Sequence, residues 1–153
     1  MLKNLDPLLS PDLLYILRAM GHGDDLVLAD CNFPADSVAH QTVSQQLIRL
    51  DGIDIPSAAR AILSVYPLDG FVETPVHRME MVGDPDTVPE VQQEVQALIN
   101  EAAGRDWPMG SIERMEFYEH AKRAYAVVST GERRGYGCFL LKKGIILPDG
   151  SAG

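Results

Sequence analysis

Four consecutive apolar residues, Leu26-Val27-Leu28-Ala29, stand between the pair Asp24-Asp25 and Asp30. A short unbroken apolar run of this kind is the pattern of a strand covered on both faces, because a strand with a wet side alternates. Such a strand needs layers above and below, which the rest of the chain must supply. The residues just before it offer one. In SPDLLYILRAMG (10–21) Ser10 can cap a helix, Pro11 suits its first position and Asp12 complements the positive end of its dipole. Leu13, Leu14, Ile16, Leu17 and Met20 recur at helical spacing, and Gly21 is a natural stop. His22 therefore falls just beyond a helix C-terminus, and Asp30 closes the strand that follows.

Further along, QLIRL (46–50) predicts a second strand, stopped by Asp51-Gly52, and 57–65 predicts a helix through Ala58, Ala61, Ile62 and Val65. FVETPVHRMEMV (71–82) predicts one or two strands, with Pro75 at an edge and His77, Met79 and Met81 sharing a face. Thr87-Val88-Pro89-Glu90 reads as a capping box for a helix that turns Val91, Val95, Leu98 and Ile99 inward. A loop over 102–110 holds Trp107, a short helix is expected over 117–124 and a strand over 125–130. GERRGYG (131–137) is a glycine-punctuated turn before a strand at 138–141, and 145–153 is expected to be a flexible tail. Alternating strands and helices predict an α/β fold, one sheet covered by helices in a single domain. In such sheets ligands gather beyond the carboxyl ends of strands, which is where Asp30 falls.

Composition narrows the partners. The chain has 153 residues, enough for one domain with its own core, and 22 acidic against 13 basic residues give a net charge of −9. An excess of negative charge repels phosphate backbones and anionic lipid, so neither nucleic acid nor membrane is an expected partner. Two cysteines, Cys31 and Cys138, make no disulfide framework and point to a reducing compartment. No leader pattern or membrane-length apolar run is present in the sequence, so the cytoplasm is the expected location.

His22 lies between two glycines, which leave the backbone free to bring the ring close to a ligand. One imidazole can both give and take a proton near neutral pH, and the negative end of the preceding helix favours its charged form. The plainer reading is a solvated loop histidine after a helix stop. Asp30, an acceptor when ionised, could fix a hydroxyl or orient a donor. The four histidines show no metal-binding spacing, and GERRGYG lacks the GK[ST] of a phosphate loop. No metal or cofactor is expected. Cys31 has no histidine partner assignable from sequence, so a small buried thiol is preferred to a nucleophile.

MLKNLDPLLSPDLLYILRAMGHGDDLVLADCNFPA (1–35) resembles the N-terminal signature of the RbsD/FucU family of sugar mutarotases, in its L-fucose branch. ERMEFYEHAKRAYAVVSTGERRGYGCFLLKKGII (113–146) resembles that branch's C-terminal segment. The resemblance implies a three-layer domain with a mixed sheet, and cofactor-free interconversion of the α and β anomers of L-fucose or a related free monosaccharide. It implies His22 as proton donor and Asp30, Arg114, Tyr136, Gly137 and Cys138 as sugar-binding residues, with Tyr118 a further candidate for stacking or proton transfer. It also implies a homo-oligomer, up to a decamer built from five-subunit rings, with the site completed by a neighbouring chain. The apolar face His77/Met79/Met81 is the sequence's own pointer to assembly.

The chain departs from the family pattern in three places. Cys138 stands where relatives usually carry asparagine, Asp36 where they often carry histidine, and the stretch 40–46 is longer; the last two are expected near the site mouth. Plainer readings exist for the binding residues too. Arg114 could pair with Glu113 or Glu116, and Tyr118 could be a half-buried core residue. The rivals are a sugar-binding accessory protein without turnover and an isomerase for another ligand, such as a sugar acid.

Overall fold

The computed structural model describes residues 2–153. Eleven elements follow in chain order: α1 (Pro11–Ala19), β1 (Asp25–Ala29), α2 (Ala35–Ala39), β2 (Leu47–Leu50), α3 (Ile55–Leu63), β3 (Val76–Met79), α4 (Glu90–Ala103), β4 (Gly110–Ile112), α5 (Arg114–Arg123), β5 (Ala126–Thr130) and β6 (Phe139–Lys142). The strands form one mixed sheet in the order β2-β5-β1-β6-β3-β4. β2, β5 and β1 are parallel, as are β3 and β4; β6 runs against both of its neighbours, β1 and β3.

The LVLA run behaves as its pattern demands. Leu26 and Leu28 face a layer made by α1, α3 and α4, whereas Val27 and Ala29 face one made by α2 and α5. All four are fully buried. Two-sided burial explains why the run does not alternate.

Ser10 caps α1 by accepting from the Leu13 amide, and Pro11 takes the first helical position. Lys143 closes the other end: its ammonium donates to the carbonyls of Leu17 and Met20. That contact revises the expectation for His22, because the helix end meets a lysine charge before it meets the histidine.

Several expectations need correction. The capping box is not formed; α4 starts at Glu90 with Pro89 at its cap position and no side-chain cap. Proline at that point leaves Gln92 and Gln93 to donate to the Pro89 carbonyl. α5 begins at Arg114, because the Glu113 carboxylate accepts from the amides of Met115 and Glu116 and starts the helix three residues early. Met79 is a buried residue of the α2/α5 face and no assembly surface. His77 is half-buried, its Nε2 3.3 Å from the Thr74 hydroxyl, and Met81 lies beyond the strand. Cys31 is exposed, because it follows the last buried position of the β1 end. The terminal segment 145–153 is tied back: Ile146 bridges Ala152, and Gly70 donates to the Gly153 carbonyl. No helix is long and apolar enough to cross a membrane among the described residues.

Candidate functional site

The reversed strand builds the site. Leu28 of β1 lies opposite Phe139 of β6, so continuing the antiparallel register sets Cys138 and Gly137 beside Ala29 and Asp30. The Gly137 amide donates to Asp30 Oδ2 at 3.0 Å, and the Cys138 thiol lies 3.5 Å from the same oxygen. The Asn32 amide donates to Oδ1 at 2.9 Å. Asp30 is 3% exposed. A carboxylate so deeply placed needs donors on both oxygens, and these three provide them. Burial, and then the Asp30 charge beside it, hold the Cys138 thiol's pKa well above its usual value. Cys138 is therefore a neutral donor to Asp30.

Gly137 is closely packed by side chains. A Cβ at that position would meet the Ile55 side chain at 3.3 Å and the side chains of Asp30 and Glu132 at 3.4 Å. Tyr136 holds φ +63°, an uncommon angle for a residue with a side chain. Its hydroxyl accepts from the Val82 amide, and its carbonyl accepts from Gln92. The turn itself is braced by Glu132, whose carboxylate takes the Arg134 guanidinium and the amides of Arg134 and Ile55. Arg134 also forks onto Glu94 of α4.

A hollow of about 170 Å³ opens over Asp30, walled by Met79, Arg114, Tyr118, Tyr136 and Cys138. Asp30, Arg114, Tyr118, Tyr136 and Cys138, all expected from the sequence, meet at this hollow, and Gly137 joins them through its amide on Asp30. Arg114 stands at the first turn of α5. The carboxylates suggested as its partners are engaged elsewhere, Glu113 on the helix amides and Glu116 within 3.5 Å of His120. Arg114 itself is exposed and lines the hollow. Tyr118 packs on Phe33, with ring centroids 5.6 Å apart, so its wall is rigid.

His22 is elsewhere. It precedes β1, whereas Asp30 follows it, and five strand residues at about 3.3 Å each put the two at opposite ends of the sheet. Its neighbour Gly23 donates to Lys143, just past the far end of β6. The His22 Nε2 lies 3.1 Å from Asp69 Oδ1, and its ring sits 5.4 Å from that of Phe71. Asp69 is 3% exposed and also accepts from the Phe71 amide. A buried carboxylate thus stands behind a half-exposed imidazole: an ionised Asp69 accepts from Nε2–H, which orients the ring and leaves Nδ1 as its other nitrogen. Asp24 accepts from the Gly21 amide and so shapes the same loop.

Two of the sequence departures lie away from the Asp30 hollow. Asp36 lines an adjoining cleft of about 540 Å³ that shares Phe33 with it. The stretch 40–46 runs beside the start of β5, where Val43 and Ser44 donate to the carbonyls of Ala124 and Tyr125, at the His22 end. A larger cleft of about 580 Å³ lies between α3, the end of α4 and residues 146–153. Three of its polar side chains are already used, Tyr66 donating to the Leu141 carbonyl, Trp107 to the Glu73 carbonyl and Ser64 to the Ala61 carbonyl, and Arg105 lies 4.2 Å over the Trp107 ring. Among the described residues, no three His, Cys, Asp or Glu side chains converge as metal ligands.

The model of the RbsD / FucU transport protein family matches residues 3–146. The chain belongs to the RbsD/FucU family. Among its relatives, human fucose mutarotase is 45% identical over 148 residues, covering 95% of this chain and 94% of that one. The L-fucose mutarotase of Histophilus somni is 43% identical over 145 residues, covering 95% and 97%. Solved structures agree. The protein Atu2016, described as a candidate sugar-binding protein, matches at 54% identity with a TM-score of 0.93, covering 96% of this chain and 97% of that one. The fucose mutarotase of Streptococcus pneumoniae in complex with L-fucose matches at 38% identity with a TM-score of 0.85, covering 95% and 100%. In this RbsD/FucU chain, sequence reading missed Asp69 and Gln92. Asp69 left no signal, since its partner is 47 residues away. Gln92 left one: it shares an α4 face with Val95 and Ile99, a polar residue at a core position.

Proposed function

We propose that this chain is a cofactor-independent mutarotase that interconverts the α and β anomers of L-fucose or a closely related aldose. The observation that carries the reading is the Asp30 cradle, an acceptor held by three donors under a small hollow, in a chain 45% identical to a fucose mutarotase. Ring opening needs only proton traffic. A donor protonates the ring oxygen as the anomeric hydroxyl gives up its proton; the C1–O5 bond breaks to the aldehyde, and reclosure on the other face returns both protons. In our reading Asp30, Arg114 and the 136–138 turn hold hydroxyls, Tyr118 offers a ring face, and His22 carries the proton.

A single chain separates His22 from Asp30 by the length of β1, so the reading calls for a homo-oligomer in which His22 reaches the hollow of a neighbouring copy. Phe71, 69% exposed beside His22, supports a covered surface there. A decamer of paired five-subunit rings is the assembly we propose. The free thiols Cys31 and Cys138 support a cytoplasmic setting.

NMR saturation transfer between anomers tests the activity across several monosaccharides. Acceleration for L-fucose by native protein, lost in His22→Ala, is the expected result. Binding without acceleration would favour an accessory sugar-binding protein, the role that Cys138 in place of asparagine makes the main rival. Acceleration confined to another sugar would move the substrate assignment.

A further inference from the structure

The Tyr136–Gly137 peptide is held by a side chain on each side. The carbonyl of Tyr136 accepts from Gln92 Nε2 at 2.8 Å, and the amide of the same peptide, on Gly137, donates to Asp30 Oδ2 at 3.0 Å. In a trans peptide the C=O and N–H point in opposite directions, so the two contacts pull on one rigid plane. Gln92 is wholly buried in α4. Its second N–H donates to the Met79 carbonyl at 2.8 Å, and its oxygen accepts from Arg78 at 3.3 Å. A buried amide with all of these contacts met is rigid, and an apolar residue would fill the α4 face at lower desolvation cost. Its polarity therefore asks for a use.

The alternative to the observed plane is a flipped peptide. A flip would turn the Tyr136 oxygen toward the Asp30 carboxylate and the Gly137 N–H toward Gln92. Two things oppose it: like-sign oxygens at Asp30, and the Gln92 donor, which would lose its acceptor. Tyr136, at φ +63°, is the sort of residue that persists only where its surroundings over-determine it.

We infer that Gln92 is a positioning residue for sugar binding: by fixing the Tyr136–Gly137 peptide, it keeps the amide on Asp30 and the Asp30 carboxylate aimed into the hollow. The inference rests on the mutarotase reading, since sugar is the ligand that Asp30 would hold. It extends the site to a residue of α4 that lines no part of the hollow.

Two variants of the full chain test it. Gln92→Met keeps the volume and removes the hydrogen bonds; Gln92→Glu puts an acceptor where a donor is needed and so favours the flipped plane. Three measurements are made on each: circular dichroism to establish folding, hydrogen–deuterium exchange at the Gly137 amide, and kcat and KM for anomer exchange. Gln92→Met is expected to exchange Gly137 at least about tenfold faster and raise KM about tenfold, with kcat within about threefold of native; Gln92→Glu is expected to exceed it in both. A role in packing alone would lower the melting temperature and leave KM and Gly137 exchange unchanged, and that result overturns the inference. Failure of the parent reading shows up separately, in native protein that accelerates no sugar, and takes the kinetic half of the inference with it.

Discussion

The His22 Nε2 and Asp69 Oδ1 stand 3.1 Å apart, an imidazole half open to its surroundings backed by a carboxylate that is almost wholly covered. Asp69 is held in turn by the Phe71 amide, so the ring is oriented by a rigid acceptor and not by a mobile surface charge. The same carboxylate fixes which nitrogen carries the proton. Replacing it with an amide keeps the shape and removes the charge. Asp69→Asn is expected to lower kcat for anomer exchange about 10- to 100-fold while KM stays within about threefold. Saturation-transfer rates at several sugar concentrations give both constants.

The two thiols should differ sharply in reactivity. Cys31 is exposed, whereas Cys138 is 2% exposed and its pKa is pushed well above the usual value by burial and the Asp30 charge. Only the thiolate alkylates readily. Iodoacetamide at pH 8 is expected to add one label per native chain, at Cys31, and a second only after unfolding. Peptide mass spectrometry reads the positions directly.

Glu132 ties acid stability to the 131–137 turn. Hydrogen bonds from Arg134, outweighing the opposing effect of burial, lower its pKa from 4.5 to about 2. A depressed folded-state value means that the contribution is fully present above the unfolded pKa and disappears as pH falls from 4.5 toward 2. With Arg134 partly exposed, the contribution is about 1–3 kcal/mol. Glu132→Gln is expected to be less stable than native by that amount at pH 7, and the gap should close near pH 2. Urea unfolding at the two pH values checks it.

Gly131 opens the same turn against the β2–α3 loop. Its amide donates to the Ile53 carbonyl at 2.8 Å, and a Cβ would lie 2.6 Å from the Gly52 nitrogen. Backbone cannot yield as a side chain does. Gly131→Ala is expected to cost about 1–3 kcal/mol, a fall of about 3–10 °C in Tm by calorimetry.

What could be read from the sequence was what local pattern encodes. The LVLA strand, α1 with its serine cap and proline start, and the inward face of α4 each follow from spacing or from burial on both faces. α2 and β4, of five and three residues, are too short to show a period; β4 exists because it pairs with β3. The proposed binding residues Asp30, Arg114, Tyr118 and 136–138 were named through family resemblance, yet their meeting depends on the reversal of β6, which no local pattern states. The same topology separates His22 from Asp30. Nothing in the stretch MGHGDDLVLAD says that its two ends face opposite edges of a sheet.

That separation makes one measurement more direct than the rest. His22→Ala and Asp30→Asn are each expected to abolish accelerated exchange of L-fucose anomers when purified alone. Co-expressed, the two variants should assemble mixed particles in which roughly one interface in four joins an intact His22 to an intact Asp30, and activity should return to about that fraction of native. A mixture as inactive as its components, in particles shown by native mass spectrometry to be mixed, would contradict a site shared between copies.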